Sequence, residues 1–186
     1  MGTRQLLALQ KQSLGDLKAT FQIFQQIARD TANTPGQKGW QPNANRNMIQ
    51  ILIAMGDIPQ AEGYLRRNIA FITEARTSGH PRWRESYATR GRSWEADIES
   101  ARAAILEARG QYREAETAYR RSSEYRRASI ADMKKIEFGA PEAQLRHAAD
   151  FDLLNVARMK GRQGRLAEAE VEMRQVLLTR LKEQGK

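Results

Sequence analysis

Two histidines, His80 and His147, stand 67 positions apart, one in a Gly-Pro loop and one on a polar helical stretch. A metal pair or an acid–base dyad needs its members convergent. Nothing in the pattern brings these two together, so both read as solvent-exposed side chains. The chain has no Cys, which removes thiol nucleophiles and thiolate metal sites and leaves the redox compartment unread. There is no His-Glu-x-x-His, no phosphate-cradling Gly-Lys-Ser/Thr loop and no Gly-x-Ser-x-Gly elbow. The carboxylates Glu107, Glu114 and Glu116 fall on what reads as a solvated helical face, where paired acid–base work has no dry cleft. The expectation is a chain without catalysis, cofactor or metal.

Binding chemistry is better represented. Arginines recur in pairs at Arg66-Arg67, Arg120-Arg121 and Arg126-Arg127. They make either a solvated outer face, with stems packed over apolar surface, or a positive stripe for RNA or another polyanion. Glu99, Arg102, Glu114, Glu116 and Glu124 intersperse charge at helical spacing, which favours internal pairing over a phosphate track. Trp83, Tyr87, Trp94, Tyr119 and Tyr125 invite a base-stacking platform, but their spacing suits helix packing better, above all for Tyr119.

The elements that position these residues follow from composition and periodicity. Of 186 residues, 31 are basic and 22 acidic, a net charge of +9, with mean hydropathy −0.70. An apolar share of 40% is low for one compact core of this length and suits an elongated fold in which each layer buries its own seam. No run approaches the roughly 20 apolar residues of a membrane span, so the chain reads as soluble. No apolar h-region follows Met1-Gly2, so no signal peptide is read there. Cytoplasm is the expected compartment, with periplasm open if a leader precedes this sequence.

One pattern recurs four times. A Gly is followed by a polar residue and an apolar one, then by a small residue five places after the Gly and a large apolar residue four further on. The copies are Gly15-Asp16-Leu17 with Thr20 and Phe24, Gly56-Asp57-Ile58 with Ala61 and Leu65, Gly110-Gln111-Tyr112 with Ala115 and Tyr119, and Gly164-Arg165-Leu166 with Ala169 and Met173. The Gly ends one helix in a positive-φ turn, the apolar residue starts the next, and the small residue lets the two approach closely. Each unit is a helical hairpin with one open face that must stack on a neighbour.

These residues resemble the tetratricopeptide repeat, most closely at Ala103, Leu106, Gly110-Gln111-Tyr112, Ala115, Tyr119 and Ser122. The spacings of 41 and 54 between successive turn glycines exceed the family's 34-residue period. The resemblance implies an all-α, right-handed solenoid of about four hairpins, in units 3–32, 43–77, 82–136 and 141–184 of one domain, acting as a protein- or peptide-interaction scaffold. Long-period arrays of this kind also precede caspase-like protease domains in bacterial proteins; no protease residues occur here. The family binds along the groove lined by first helices. That implies Asn43, Arg46, Asn47, Gln50 and Ile53 in the second unit, and Asp97, Ser100, Ala101, Ala104 and Glu107 in the third. In the fourth it implies Phe151, Leu154, Asn155, Arg158 and Arg162. Some members clamp a peptide carboxylate with Lys, Asn and Arg there. Arg46, Asn47, Gln50, Asn155, Arg158 and Arg162 are therefore the expected partner-binding residues, with an acidic protein or peptide as partner and RNA as the alternative.

Eight helices are expected: Thr3–Ser13, Leu17–Thr31, Arg46–Met55 capped by Asn43 or Asn45, Ile58–Arg76, Arg82–Arg109, Tyr112–Ile136, Pro141–Arg162 and Leu166–Glu183. Gly91 is expected to kink or divide the fifth near Trp94. Loops fall at Asn33–Pro42, Thr77–Pro81 and Phe138–Glu142, and no segment alternates as a strand. In the last helix Leu166, Ala169, Met173, Val176 and Leu177, with Leu181 close by, form the expected packing seam. Val171 and Leu178 point away from it, which predicts a covered second face, by a homodimer or by sequence beyond Lys186.

Overall fold

Gly15, Gly56, Gly110 and Gly164 adopt φ of 76°, 80°, 75° and 78°, so all four expected turns form with the backbone that only Gly takes readily. Each closes the preceding helix with the same two bonds. At the third turn the Gly110 N–H donates to the Glu107 carbonyl at 2.9 Å and the Gln111 N–H to the Leu106 carbonyl at 2.9 Å. The polar residue after the Gly then opens the next helix. Asp16 Oδ1 accepts from the Ala19 N–H at 3.1 Å and Asp57 Oδ1 from the Gln60 N–H at 3.0 Å, as N-caps do.

The structure is a computed structural model and describes residues 2–32, 41–133, 142–183 and 185. It is all-α: α1 (Gly2–Ser13), α2 (Leu17–Ala32), α3 (Gln41–Ala54), α4 (Ile58–Thr77), α5 (Pro81–Ala108), α6 (Tyr112–Met133), α7 (Glu142–Arg162) and α8 (Leu166–Glu183). No strand occurs among the described residues. The expected loop at 33–40 and the stop and restart at 138–141 lie outside the described residues.

The chain divides into two compact units, residues 1–73 and 74–186. In the first, α1 packs on α2 and α2 on α3. Phe21 on α2 meets Tyr64 on α4 edge-on at 6.0 Å, and Asn45 Nδ2 donates to Asn68 Oδ1 at 2.7 Å between α3 and α4. In the second, α6 lies between α5 and α7, and α8 packs on α7. Its core is Ala103, Ala115, Ala118, Tyr119, Val156 and Met159. The small residue after each turn, Thr20, Ala61, Ala115 and Ala169, is buried in all four hairpins. So is the residue seven before each turn glycine: Ala8, Ile49, Ala103 and Ala157. In the third hairpin the two positions, Ala103 and Ala115, share one core cluster, and their small side chains let α5 and α6 close.

Three local expectations are corrected. α3 starts at Gln41 rather than Arg46, so neither Asn43 nor Asn45 is its cap. Pro42 sits in the first turn, where its missing N–H costs nothing, and its carbonyl accepts from Asn68 Nδ2 at 3.1 Å. α5 runs unbroken past Gly91. A Cβ there would lie 2.9 Å from the Tyr87 ring, so this Gly makes room for Tyr87, whose hydroxyl donates to Glu95 at 2.7 Å. In α8 only Ala169 and Val176 of the expected seam are buried, whereas Leu166, Met173 and Leu177 are exposed. α8 instead turns Glu172 and Arg180 inward, where they meet charged partners on the neighbouring helices.

Candidate partner-binding site

The expected binding residues fall in both compact units. On α3, Asn43 organises its neighbours. Its Oδ1 accepts from Arg46 Nη2 at 3.1 Å, and Asn47 Nδ2 donates to its carbonyl at 2.8 Å. Arg46 and Asn47 are half-buried and Gln50 is exposed.

On α7, Phe151, Asn155, Arg158 and Arg162 follow one another at helical spacing and share one stripe. Phe151 is 55% exposed, a large apolar ring left in solvent. Asn155 is only 6% exposed, but its amide is not sealed off: among the described residues the buried side-chain atom without a partner is Glu99 Oε2. Arg158 is held by Glu107 of α5, with Nη2 donating to Oε2 at 2.6 Å, and the same Oε2 accepts from the Tyr119 hydroxyl at 3.0 Å. Burial of Tyr119, reinforced by the Glu107 charge, pushes its hydroxyl well above the ordinary tyrosine range, so it stays a neutral donor. Arg162 is exposed one turn beyond Arg158, where the helix ends.

The stripe therefore offers an exposed aromatic ring, an amide with unused hydrogen-bonding groups and two guanidinium groups. One of these is oriented in advance by a carboxylate. Such a set can take a peptide backbone on Asn155, an apolar side chain on Phe151 and a carboxylate on Arg158 or Arg162.

The carboxylates expected on a solvated face are not all there. Glu107 and Glu116 are half-buried; Glu116 Oε2 accepts from Arg165 Nη1 at 2.9 Å and Gln163 Nε2 at 3.0 Å, tying α6 to the turn before α8. Of the three, Glu114 alone is exposed. His80 and His147 are exposed, and no group of acidic or histidine side chains able to hold a metal occurs among the described residues. No helix of the described residues is long and apolar enough to cross a membrane.

The paired arginines divide by environment. Arg120 donates to Glu172 from both Nη atoms at 3.2 and 3.0 Å, Arg126 is buried against Asp97 and Asp152, and Arg127 reaches Asp150 at 3.2 Å. Arg66 and Arg121 are exposed, and Arg67 lies 4.6 Å above the Tyr64 ring. Trp94 and Tyr119 are buried, so they present no open stacking surface, and Tyr125 is exposed.

Sequence reasoning missed the buried ionic network of Asp97, Ser122, Arg126 and Asp152. Its members come from three helices, and no local spacing marks them as partners. Compared with protein-family models, curated proteins and solved structures, the chain has no match.

Proposed function

We propose that this chain is a helical-repeat interaction module of tetratricopeptide type that binds a partner protein or peptide along the exposed stripe of α7, without catalysis. The single observation that carries the reading is Phe151, a large ring left 55% exposed on the stripe that also holds the pre-oriented Arg158. Asn155 lies between the two on α7, where its amide can meet a peptide backbone. The favoured ligand is an extended acidic segment with one apolar side chain. Arg46, Asn47 and Gln50 on α3 are proposed as a second contact region on the same kind of helix. RNA binding through the paired arginines has less support, because Arg120, Arg126 and Arg127 are each engaged by a carboxylate.

The test is selection from a random peptide library on the intact chain, with fluorescence anisotropy of the enriched peptides. Enriched sequences should be acidic and carry an apolar anchor. Asn155→Ala and Phe151→Ala should each weaken them at least tenfold, and Arg158→Ala with Arg162→Ala more than that, with the circular dichroism spectrum unchanged. The joint Arg46→Ala and Arg158→Ala variant tests the α3 contact in the same assay. Binding that survives all of these changes places the site elsewhere. A short single-stranded RNA bound with a steep salt slope supports the polyanion reading instead.

A further inference from the structure

α8 leaves most of its circumference uncovered. Ala169 and Val176 are buried, while Leu166, Val171, Met173, Leu177 and Leu178 are each more than half exposed. At about 100° per residue, Leu166, Met173 and Leu177 form one stripe and Val171 and Leu178 another. Between them runs Glu170 with Arg174, paired at 2.7 Å. Repeat position shows what such a surface does elsewhere. Met173 corresponds to Tyr119 and Leu177 to Ser123, both buried on α6, where α7 packs. α8 thus carries a surface of the kind a neighbouring helix covers, yet among the described residues it is open.

We infer that a second copy of the chain covers it, α8 lying antiparallel on α8 about a two-fold axis that runs between the two helices, perpendicular to both, at the level of the inward-facing Glu172. The argument is self-complementarity. Such an axis reverses level along the helix but keeps its side, so each stripe lies against its own counterpart on the second copy. Glu170 then meets Arg174 of the second copy, and Arg174 meets its Glu170. Leu166 meets Leu177, Leu178 meets Ala167, and Val171 and Met173 each meet their own counterparts across the axis. Every exposed large apolar residue of the two stripes faces an apolar residue, and both central charges face their opposites. A parallel pairing in register would set Glu170 on Glu170 and Arg174 on Arg174.

The test combines light scattering with charge reversal on the intact chain. The unmodified chain should show a concentration-dependent dimer. E170R and R174E should each weaken dimerisation at least tenfold, because like charges then meet across the axis. Mixed in equal amounts, the two variants should recover a dimer, since arginines of one chain face glutamates of the other. V171E with L178E should give a monomer of unchanged helicity by circular dichroism. A chain monomeric at about 100 μM overturns the inference. So does a dimer whose E170R and R174E variants pair as well separately as mixed. Assemblies growing beyond two copies also overturn it, because they require a head-to-tail contact, for instance with the exposed Leu6, Leu7 and Leu14 of the N-terminal hairpin.

Discussion

Arg126 on α6 donates from Nε to Asp152 of α7 at 2.8 Å and from Nη2 to Asp97 of α5 at 3.1 Å, so one buried guanidinium ties three helices. The Ser122 hydroxyl lies 2.7 Å from the same Asp152 oxygen. Burial pushes the Asp152 carboxyl above the ordinary aspartate range despite the opposing pull of Arg126. The pair therefore fixes which helices meet rather than adding much net stability. Removing one partner should be costly and removing the whole set far less so. Asp152→Ala should lose about 3–5 kcal/mol in urea unfolding, the range for breaking a buried ion pair. The triple variant Asp97→Ala, Arg126→Met, Asp152→Leu should recover most of that loss. A single variant within about 1 kcal/mol of the unmodified chain, well below that range, would show that Arg126 finds water or another partner.

Ala115 has no exposed surface and lies in the α5–α6 seam beside Ala103. Ala115→Arg forces a long charged side chain between two helices. The expected loss is several kcal/mol, on the order of the upper tail for point substitutions, and thermal unfolding by circular dichroism should show it. An unchanged melting temperature would contradict the packing of the hairpin.

Two glycines give opposite expectations. Gly110 has φ of 75° and open space around it, so Gly110→Ala is costly through the backbone alone, by about 1–2 kcal/mol. Gly161 lies within α7 and a Cβ there also meets nothing within 4 Å. Gly161→Ala should stabilise by roughly 0.5–1 kcal/mol, the helix-propensity difference. Urea midpoints that move in the same direction for both would disprove the role given to the turn.

Glu172 joins α8 to two other helices. Its carboxylate accepts from Arg120 Nη2 at 3.0 Å and from Lys160 Nζ at 2.8 Å. Burial raises its proton affinity, but the hydrogen bonds from Arg120 and Lys160 outweigh it and hold the carboxyl below the ordinary glutamate range. The folded chain therefore takes up this proton less readily than the unfolded one. The stability it contributes is present above the ordinary value, about 4.3, and drains away as the pH falls through the lower folded value. Glu172→Gln should flatten the stability profile in that acid window, with a loss near neutral pH of about 1–2 kcal/mol, the range for partly screened charged hydrogen bonds. Equal slopes below about pH 5 for the variant and the unmodified chain would assign the acid sensitivity to other carboxylates.

The local part of this fold was legible in the sequence because its signals are local. A Gly followed by a polar residue specifies a positive-φ stop and a new helix start within three positions. A small residue five places on specifies close approach within the same hairpin. Thus all four turns, and the burial of Thr20, Ala61, Ala115 and Ala169, follow from spacing alone. What the tertiary structure decided involves partners far apart in the chain. Arg120 and Glu172 are 52 positions apart, Arg158 and Glu107 are 51, and neither pairing has a periodic signal. Met173 shows the same division. Its repeat position predicts a covered side chain, as Phe24, Leu65 and Tyr119 are covered, yet it is 53% exposed. Burial at that position depends on a helix packed from outside the hairpin, and a residue's type cannot supply that neighbour.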